Sequence, residues 1–312
     1  MLTFGPVPSR RLGQSLGVNN IPPKSCTYSC VYCQLGETVN MRVVRDSFYN
    51  PEEILKDVEK KIKLAINKGE IIDYLTIVPD GEPTLDINLG KEIEALKPLG
   101  FKVAVISNAS LAWKEDVRND LCKADWVSFK IDAVSEDIWR KINRPHKSLQ
   151  LNKILQDISE FSRVFNGELA TETMLIRDIN DNKEEIEKIA NFIAGLKNAK
   201  SYISIPTRPP TEKWVEPATE DTVNTAYQIF NEEFIKTEYL IGYEGNAFAF
   251  TGNVEEDLLS ITSVHPMREE AVNEFLEKAK ASWDIIGKMI NEGKLLETKY
   301  KNKKFYIRKL QS

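Results

Sequence analysis

From residue 51 onward, segments with the apolar spacing of a helix alternate with short segments typical of a β-strand. The segments PEEILKDVEKKIKLAINK (51–68) and LNKILQDISEFSRV (151–164) repeat apolar residues at the three-to-four-residue spacing of a helix. Short β-rich runs such as IDYLTIVP (72–79) and FKVAVISN (101–108) alternate with segments of this kind. The alternation predicts βα units around a mainly parallel sheet.

The predicted elements continue in this order up to about residue 252. The strands are expected around 16–18 and at 72–79, 101–108, 125–132, 168–176 and 201–207. The helices are expected at 51–68, 90–100, 113–124, 151–164, 182–196 and 220–235. About six or seven strands in this order suit a partial or full βα barrel better than an open dinucleotide-binding sheet. We therefore predict an α/β fold with a partial (βα)6-type barrel over residues 1–252.

The pattern changes after residue 252. Helical spacing, a turn and a second helical segment, SWDIIGKMINEGK (282–294), lead into two strand-like runs, 295–301 and 303–309, around an Asn-Lys turn. Residues 265–312 contain 11 Lys/Arg and 7 Asp/Glu, a net charge of +4 in a chain of net charge -5. We predict a separate, oppositely charged α+β unit over residues 253–312, similar to a winged helix-turn-helix. We also expect that residues 265–312 can be removed without loss of the chemistry of the barrel.

Composition narrows the class of protein only modestly. The 312 residues are 42% hydrophobic and 29% charged, which is ordinary for a soluble globular protein with a real core. The apolar runs are strand-sized, far short of the roughly 20 residues that a helix needs to cross a bilayer, and the first residues lack the apolar core of a signal peptide. We expect a cytoplasmic protein with no membrane partner. In that compartment a tight cysteine cluster indicates metal binding or catalysis rather than disulfides.

Three of the four cysteines lie within the eight residues CTYSCVYC: Cys26, Cys30 and Cys33. Three thiolates could bind zinc or an iron–sulfur cluster. A structural zinc site needs a fourth ligand, and the two histidines, His146 and His265, lie more than a hundred residues away in the sequence. On a [4Fe–4S] cluster, three cysteines leave one iron open for chemistry. The fourth cysteine, Cys122, lies in an apparent helix, and we predict that it is a small buried apolar residue.

The spacing CxxxCxxC, with the aromatic Tyr32 before the last cysteine, resembles the signature of the radical S-adenosylmethionine (radical SAM) superfamily. The resemblance covers roughly residues 5–250 and implies a partial βα barrel. It implies that Cys26, Cys30 and Cys33 hold a [4Fe–4S] cluster, that SAM chelates the free iron, and that Tyr32 packs near the adenine. It also implies reductive cleavage of SAM to methionine and a 5'-deoxyadenosyl radical, with an electron donor such as ferredoxin or flavodoxin.

Further polar residues at predicted strand ends resemble landmarks of the same superfamily. The stretch VPDGEPTL resembles its Gly-Gly-Glu motif for the SAM amino group, with Asp80, Gly81 and Glu82 in place of the usual residues; the alternative is a plain turn. The other candidates for SAM binding are Ser107, Asn108, Ser128, Lys130, Asp132, Arg177 and Arg208. For these the alternatives are a helix cap (Ser107 and Asn108), an outward-facing sheet surface (Ser128, Lys130 and Asp132), and surface ion pairs (Arg177 and Arg208).

Two more features resemble one subgroup, the wyosine-synthase-like iron–sulfur oxidoreductases. Arg10 and Arg11 precede the cysteine loop, and Arg144 with His146 follows it as a candidate catalytic pair; a polar loop histidine is the alternative reading. Wyosine-forming enzymes carry a second cysteine-ligated cluster, which Cys122 alone cannot form, so we do not expect that particular reaction.

Two classes of function remain open at this point. The first is a radical SAM enzyme with an unassigned substrate. The basic tail favours RNA as the substrate, and a protein-interaction or lid role is the alternative for the tail. The second is a non-enzymatic iron–sulfur regulator that binds nucleic acid. A long α/β scaffold with polar residues at several strand ends argues against a regulator.

Overall fold

Eight strands form one curved sheet that supports the rest of the chain. The computed structural model describes residues 2–242 and 244–309. The strands, in chain order, are β1 Thr3–Ser9, β2 Gly13–Val18, β3 Ser25–Cys26, β4 Asn40–Met41, β5 Tyr74–Ile77, β6 Lys102–Ser107, β7 Trp126–Lys130, β8 Glu168–Met174, β9 Lys200–Ser204, β10 Lys236–Leu240, β11 Met267–Arg268, β12 Leu295–Tyr300 and β13 Lys303–Arg308. The large sheet has the order β1-β2-β5-β6-β7-β8-β9-β10. All of its neighbours are parallel except β1, which runs antiparallel to β2 at one edge.

Helices connect the parallel strands, as βα units require. They are α1 Pro51–Asn67, α2 Leu89–Leu96, α3 Glu115–Leu121, α4 Glu136–Asn143, α5 Leu151–Val164, α6 Lys183–Ala194, α7 Glu220–Glu232, α8 Val254–Val264, α9 Glu269–Ala279 and α10 Asp284–Asn291. Their N-caps follow the sequence: Asn50 accepts a hydrogen bond from the backbone of Glu52, and Asn182 accepts one from Glu185. The apolar faces of α1, α2, α5, α6 and α7 pack on the sheet in one large core. The predicted α/β partial barrel is confirmed.

The first strand was not predicted, and it changes how the barrel meets the tail. Phe4 lies so close over Gly17 of β2 that a Cβ at residue 17 would stand 1.9 Å from its ring, so a larger residue there would displace Phe4. Phe4 and Val7 also belong to a second core, formed mainly by residues of α8, α9, α10 and the three-stranded sheet β11-β13-β12. The predicted tail strands 295–301 and 303–309 correspond to β12 and β13. The tail therefore shares its core with the edge of the barrel, which argues against our expectation that it can simply be removed.

The prediction that Cys122 is buried is wrong. Cys122 is exposed, and it follows the last residue of α3 as its C-cap. The buried residues of this short helix are Val117 and Leu121, so its apolar stripe has ended before the cysteine. Among the described residues, no helix is long and apolar enough to cross a membrane.

Candidate active site

A cavity of about 380 Å³ lies at the carboxyl ends of the parallel strands and is closed by the first strands and the start of the tail. The lining side chains include most of the predicted site and several residues that were not predicted. The predicted ones are Cys26, Cys30, Tyr32, Cys33, Gly81, Glu82, Ser107, Asn108, Lys130 and Arg208. Arg10 and Arg11, expected near the cysteine loop, also line the cavity, and the polar residues not expected there include Gln34, Asn143, Glu172, Ser204, Glu244 and His265.

The three cysteines of the loop line the same cavity. Asn143 points its amide nitrogen at the sulfur of Cys30 at 3.4 Å, and Asn108 points its own at the sulfur of Cys26 at 3.6 Å. Burial raises the pKa of Cys30 to about 12 and raises those of Cys26 and Cys33. The thiols alone are therefore protonated, and a bound metal centre would have to displace their protons.

The arrangement of these thiols fits a cluster better than a single metal ion. Among residues 2–242 and 244–309, no three His, Cys, Asp or Glu side chains converge on one ion position. In an iron–sulfur cluster each thiolate binds a different iron, so the sulfurs need not converge on one point. Amide donors to the sulfurs are a recognised way of tuning such a cluster. The residues present fit a cluster with three protein ligands.

The Asp-Gly-Glu turn anchors the cysteine loop. A Cβ at Gly81 would lie 1.9 Å from the backbone oxygen of Ser25, the residue before Cys26, so only glycine allows this approach. Glu82 is buried, and its carboxylate accepts hydrogen bonds from the Ser107 hydroxyl at 2.7 Å and the Asn108 backbone at 2.8 Å. The predicted residues at the ends of β5 and β6 are thus brought together through Glu82.

Asp80 is placed differently from its two neighbours. It is buried but does not line the cavity, and its backbone oxygen accepts a hydrogen bond from the Lys24 amide at 2.6 Å. Burial raises the pKa of its carboxyl to about 7, although the positive charges of Arg308 and Lys24 oppose this shift. Asp80 therefore supports the turn that leads into the cysteine loop.

The predicted row of polar residues on β7 faces the inside of the sheet, where it meets Glu172 of β8. Lys130 lies 3.1 Å from Glu172 and 3.5 Å from Asp132. Arg11 approaches the other oxygen of Glu172 at 2.6 Å and the Ser128 hydroxyl at 3.4 Å. Burial alone would raise the pKa of Glu172, but Lys130 and Arg11 hold it well below its usual range. Charged residues in a strand interior are costly unless paired, and Glu172 supplies the missing partner.

Tyr32 and Asp132 connect this row of charges to the cysteine loop. The Tyr32 hydroxyl donates a hydrogen bond to Asp132, which also accepts one from the Asn143 amide at 2.8 Å. The ammonium of Lys130 lies 5.0 Å from the centre of the Tyr32 ring. Asp132 itself does not line the cavity, so its position supports Tyr32 and the amide that faces Cys30.

Six predicted residues lie outside the cavity lining: Asp80, Ser128 and Asp132, whose contacts are given above, and Arg144, His146 and Arg177. Arg144 pairs with Glu212 at 2.5 Å, and His146 shares a hydrogen bond with the Ser148 hydroxyl at 2.8 Å. Arg177 is exposed, and its backbone nitrogen donates to the Glu216 carbonyl at 2.9 Å. The pair proposed from the sequence as catalytic is thus held in loop contacts.

Residues from distant parts of the chain close the other side of the cavity. Arg208 donates to the Gln34 side chain at 2.7 Å, contacts His265 and lies 2.8 Å from Glu244. Gln34, which follows Cys33, donates to the Val264 carbonyl of α8 at 2.8 Å. Burial first, and then the charge of Arg208, lowers the pKa of His265 to about 3, so its ring is neutral. The sequence carries no local signal for this contact, because it joins segments more than fifty residues apart.

The comparisons with known proteins agree with this geometry. The family model described as the Radical SAM superfamily matches residues 20–193, which include the three cysteines and the Asp-Gly-Glu turn. A solved structure of TYW1 with a lysine-pyruvate adduct bound is similar in fold, with a TM-score of 0.52, 19% identity, and coverage of 70% of this chain and 73% of that chain. The chain belongs to the radical SAM superfamily: it is an enzyme that uses a [4Fe–4S] cluster and SAM, not a non-enzymatic regulator.

Two curated relatives are similar to the chain over different lengths. The UPF0026 protein MJ1312 of Methanocaldococcus jannaschii is 52% identical over 313 residues, which cover 100% of this chain and 97% of the relative. A probable dual-specificity RNA methyltransferase RlmN of Shouchella clausii is 25% identical over 197 residues, which cover 60% of this chain and 53% of that protein. The similarity to the UPF0026 relative includes the tail, whereas the similarity to RlmN extends over only part of each chain.

Proposed function

We propose that this enzyme cleaves SAM reductively and uses the resulting 5'-deoxyadenosyl radical on an RNA substrate. The observation that carries the first part is the placement of three cysteine side chains, without a fourth, in one cavity with the polar strand ends. A cluster held by Cys26, Cys30 and Cys33 would supply one electron to SAM at its open iron, and a ferredoxin- or flavodoxin-type donor would restore that electron. Such chemistry suits the cytoplasm, where thiols stay reduced.

The residues around the cysteines have distinct roles in this proposal. Glu82, Ser107 and Asn108 form the strand-end surface that would receive the amino acid part of SAM. The Tyr32 ring, fixed through Asp132, would pack against the adenine. Lys130 would offer its ammonium to the SAM carboxylate, since it lies beside Tyr32 and lines the cavity. Asn143 and Asn108 would orient the sulfurs by amide hydrogen bonds.

SAM cleavage tests the first part of the proposal. Anaerobically reconstituted protein, incubated with SAM and dithionite, is expected to release 5'-deoxyadenosine and methionine, as measured by liquid chromatography. Protein without reconstituted iron is the control and should release neither. A fully reconstituted sample that forms no 5'-deoxyadenosine would contradict the proposal.

The tail supports RNA as the substrate. Residues 294–309 contain seven Lys/Arg and one Asp/Glu, a net charge of +6. Lys294, Lys303 and Lys304 pair with acidic side chains, whereas Lys299 and Lys301 are exposed near the tip of the β12–β13 hairpin. The hydroxyl of Tyr300 donates to the carbonyl of Pro206, a cavity-lining residue, at 3.1 Å, so this tip stands beside the cavity. Exposed lysines beside an active-site opening suit a phosphate backbone, and the RlmN relative acts on RNA by its name.

Substituting the hairpin lysines tests the RNA proposal. The double variant Lys299→Gln/Lys301→Gln is expected to bind bulk transfer RNA more weakly. The slope of log K against log salt concentration should become shallower by roughly 1.4 to 1.8, since each phosphate contact contributes roughly 0.7 on a single strand and roughly 0.9 on a duplex. Filter binding over a salt series measures both quantities. The matched control is Lys183→Gln/Lys188→Gln on the exposed face of α6.

The RNA proposal fails if the wild-type protein does not retain RNA, or if the hairpin variant and the α6 variant show the same salt dependence. Point substitutions are preferable to truncation of the tail. Removing residues 265–312 would take away most of the second core to which Phe4 and Val7 belong, and would take His265 out of the cavity wall. A loss of activity after truncation would then report damage to the cavity rather than loss of RNA binding.

A further inference from the structure

The cavity has two ends with different charged groups. At the cysteine end, the pKa of Cys33 is affected by the charges of Asp80, Lys24 and Lys130. Among the neighbouring charges, that of Asp132 affects the pKa of Cys30 most. A second group, which we call the arginine end, is formed by Arg10, Arg208, Glu244 and His265, all of which line the cavity. The cysteine end already contains the polar groups that SAM would use, so the arginine end is available for another ligand.

One carboxylate serves two guanidinium groups at the arginine end. Glu244 lies 3.1 Å from Arg10 through one oxygen and 2.8 Å from Arg208 through the other. Arg10 also donates to the Gly242 carbonyl at 2.7 Å, and Arg208 donates to the Gln34 side chain at 2.7 Å. Both guanidiniums are therefore fixed in position before any ligand binds, which lowers the cost of ordering them on binding.

The arginine end carries one more positive charge than it can balance. Arg10 and Arg208 contribute two positive charges, Glu244 contributes one negative charge, and His265 is neutral. The Nε of Arg208 is buried and has no hydrogen-bond partner among the described residues. Burial lowers the pKa of Arg10, although Glu244 and Glu172 oppose that shift. The side chains of Arg10 and Arg208 are only 23% and 14% exposed, so an oxyanion that compensates for the extra charge would be favourable there.

We propose that the arginine end binds a phosphate group of the substrate between the guanidiniums of Arg10 and Arg208. Arginine is suited to this role because its planar group presents several donors to one oxyanion. Glu244 competes for the same donors and holds them apart from solvent when the substrate is absent. The inference rests on the proposed function, since it takes SAM to occupy the cysteine end. The carboxylate of SAM is another oxyanion that the two arginines could bind. The experiment below distinguishes it from a phosphate group.

Calorimetric titrations of the anaerobically reconstituted protein with inorganic phosphate, and separately with SAM, test the assignment. We expect Arg10→Gln and Arg208→Gln each to weaken phosphate binding by about tenfold or more, because each removes charge-assisted hydrogen bonds. Glu244→Gln should strengthen it, because the competing carboxylate is gone. SAM affinity should change by less than about twofold in all three variants. The matched control is Arg140→Gln, which removes an exposed pairing with Glu136 on α4 and should leave both affinities unchanged.

Three results would overturn the assignment: no phosphate binding by the wild-type protein, phosphate binding that is indifferent to both arginine substitutions, or a loss of SAM affinity in the arginine variants. The last result would assign the arginines to the SAM carboxylate. The opposite sign expected for Glu244→Gln distinguishes a lost contact from a misfolded variant. Release of 5'-deoxyadenosine without phosphate binding would refute this inference alone. Arginine-dependent phosphate binding without SAM cleavage would refute the proposed function instead.

Discussion

Cys30→Ala is expected to abolish incorporation of the iron–sulfur cluster and with it all SAM cleavage, and Cys26→Ala and Cys33→Ala should do the same. Each cysteine supplies one of only three protein ligands, so an alanine leaves an iron without protein attachment. The wild-type protein should take up about four irons per chain, the content of one such cluster. Iron analysis and visible absorbance after anaerobic reconstitution measure the loss directly, independently of activity.

Cys122→Ala is the matched control for these substitutions. Cys122 is exposed at the end of α3 and does not line the cavity, so its removal should leave the iron content unchanged. Iron retained by two of the three loop variants, or lost from the Cys122 variant, would contradict the ligand assignment. Each of the four variants removes one thiol, so a difference in iron content between them reports which cysteine was lost rather than how many.

Glu172→Gln is expected to destabilise the fold by about 3–5 kcal/mol, the usual cost of breaking a buried ion pair from one side. The substitution leaves Arg11 and Lys130 in the sheet interior without the carboxylate that both contact. Urea denaturation, followed by circular dichroism, measures the free energy of unfolding. Glu168→Gln is a close control on the same strand. Glu168 is exposed and 3.6 Å from Lys102, so its loss should cost less than about 1 kcal/mol.

The ion pairs of Glu172 also predict how its contribution to stability changes with pH. The pKa of Glu172 is lower in the folded state than in the unfolded chain, where a glutamate titrates near roughly 4.3. Its stabilising contribution is therefore complete above about pH 4.3 and is lost as the pH falls toward the folded pKa. The difference in unfolding free energy between wild type and Glu172→Gln should shrink below about pH 4.3. A difference that stays constant down to pH 3 would show that Glu172 acts through packing rather than charge.

Hydrophobic periodicity was sufficient to predict most elements of the barrel, because each βα unit has its own strand and helix pattern. It failed where an element lacks one. β1 contains Gly5, Pro6 and Pro8 within seven residues, a composition that argues against a strand. Pro is tolerated there because β1 lies at the sheet edge, where fewer ladder donors are needed. The short helix α4 was also missed, and Cys122 was misassigned because it lies one residue beyond the end of α3.

Some residues of the site could be predicted from the local sequence, whereas others depend on contacts between distant segments. The cysteine loop and the residues after β5, β6 and β7 could be predicted because each is tied to a motif or a strand end. Glu172 left a usable signal, a charged residue inside an otherwise apolar and small-residue strand. Glu244 and His265 left none, since their positions depend on how the tail packs against β1. Arg177 and Arg208 both follow strands, and only the fold decides which one reaches the cavity.

The core shared by β1 and the tail has a consequence for folding during synthesis on the ribosome. Phe4 and Val7 are synthesised well before Leu258 and Ile261 of α8, the tail helix that packs against β1 in the same core. The barrel strands can pair meanwhile, but this apolar edge stays open to unwanted association until the last helices arrive. β1 and α8 therefore complete this core together, and the cavity gains His265, which follows α8, only after the barrel strands have been made.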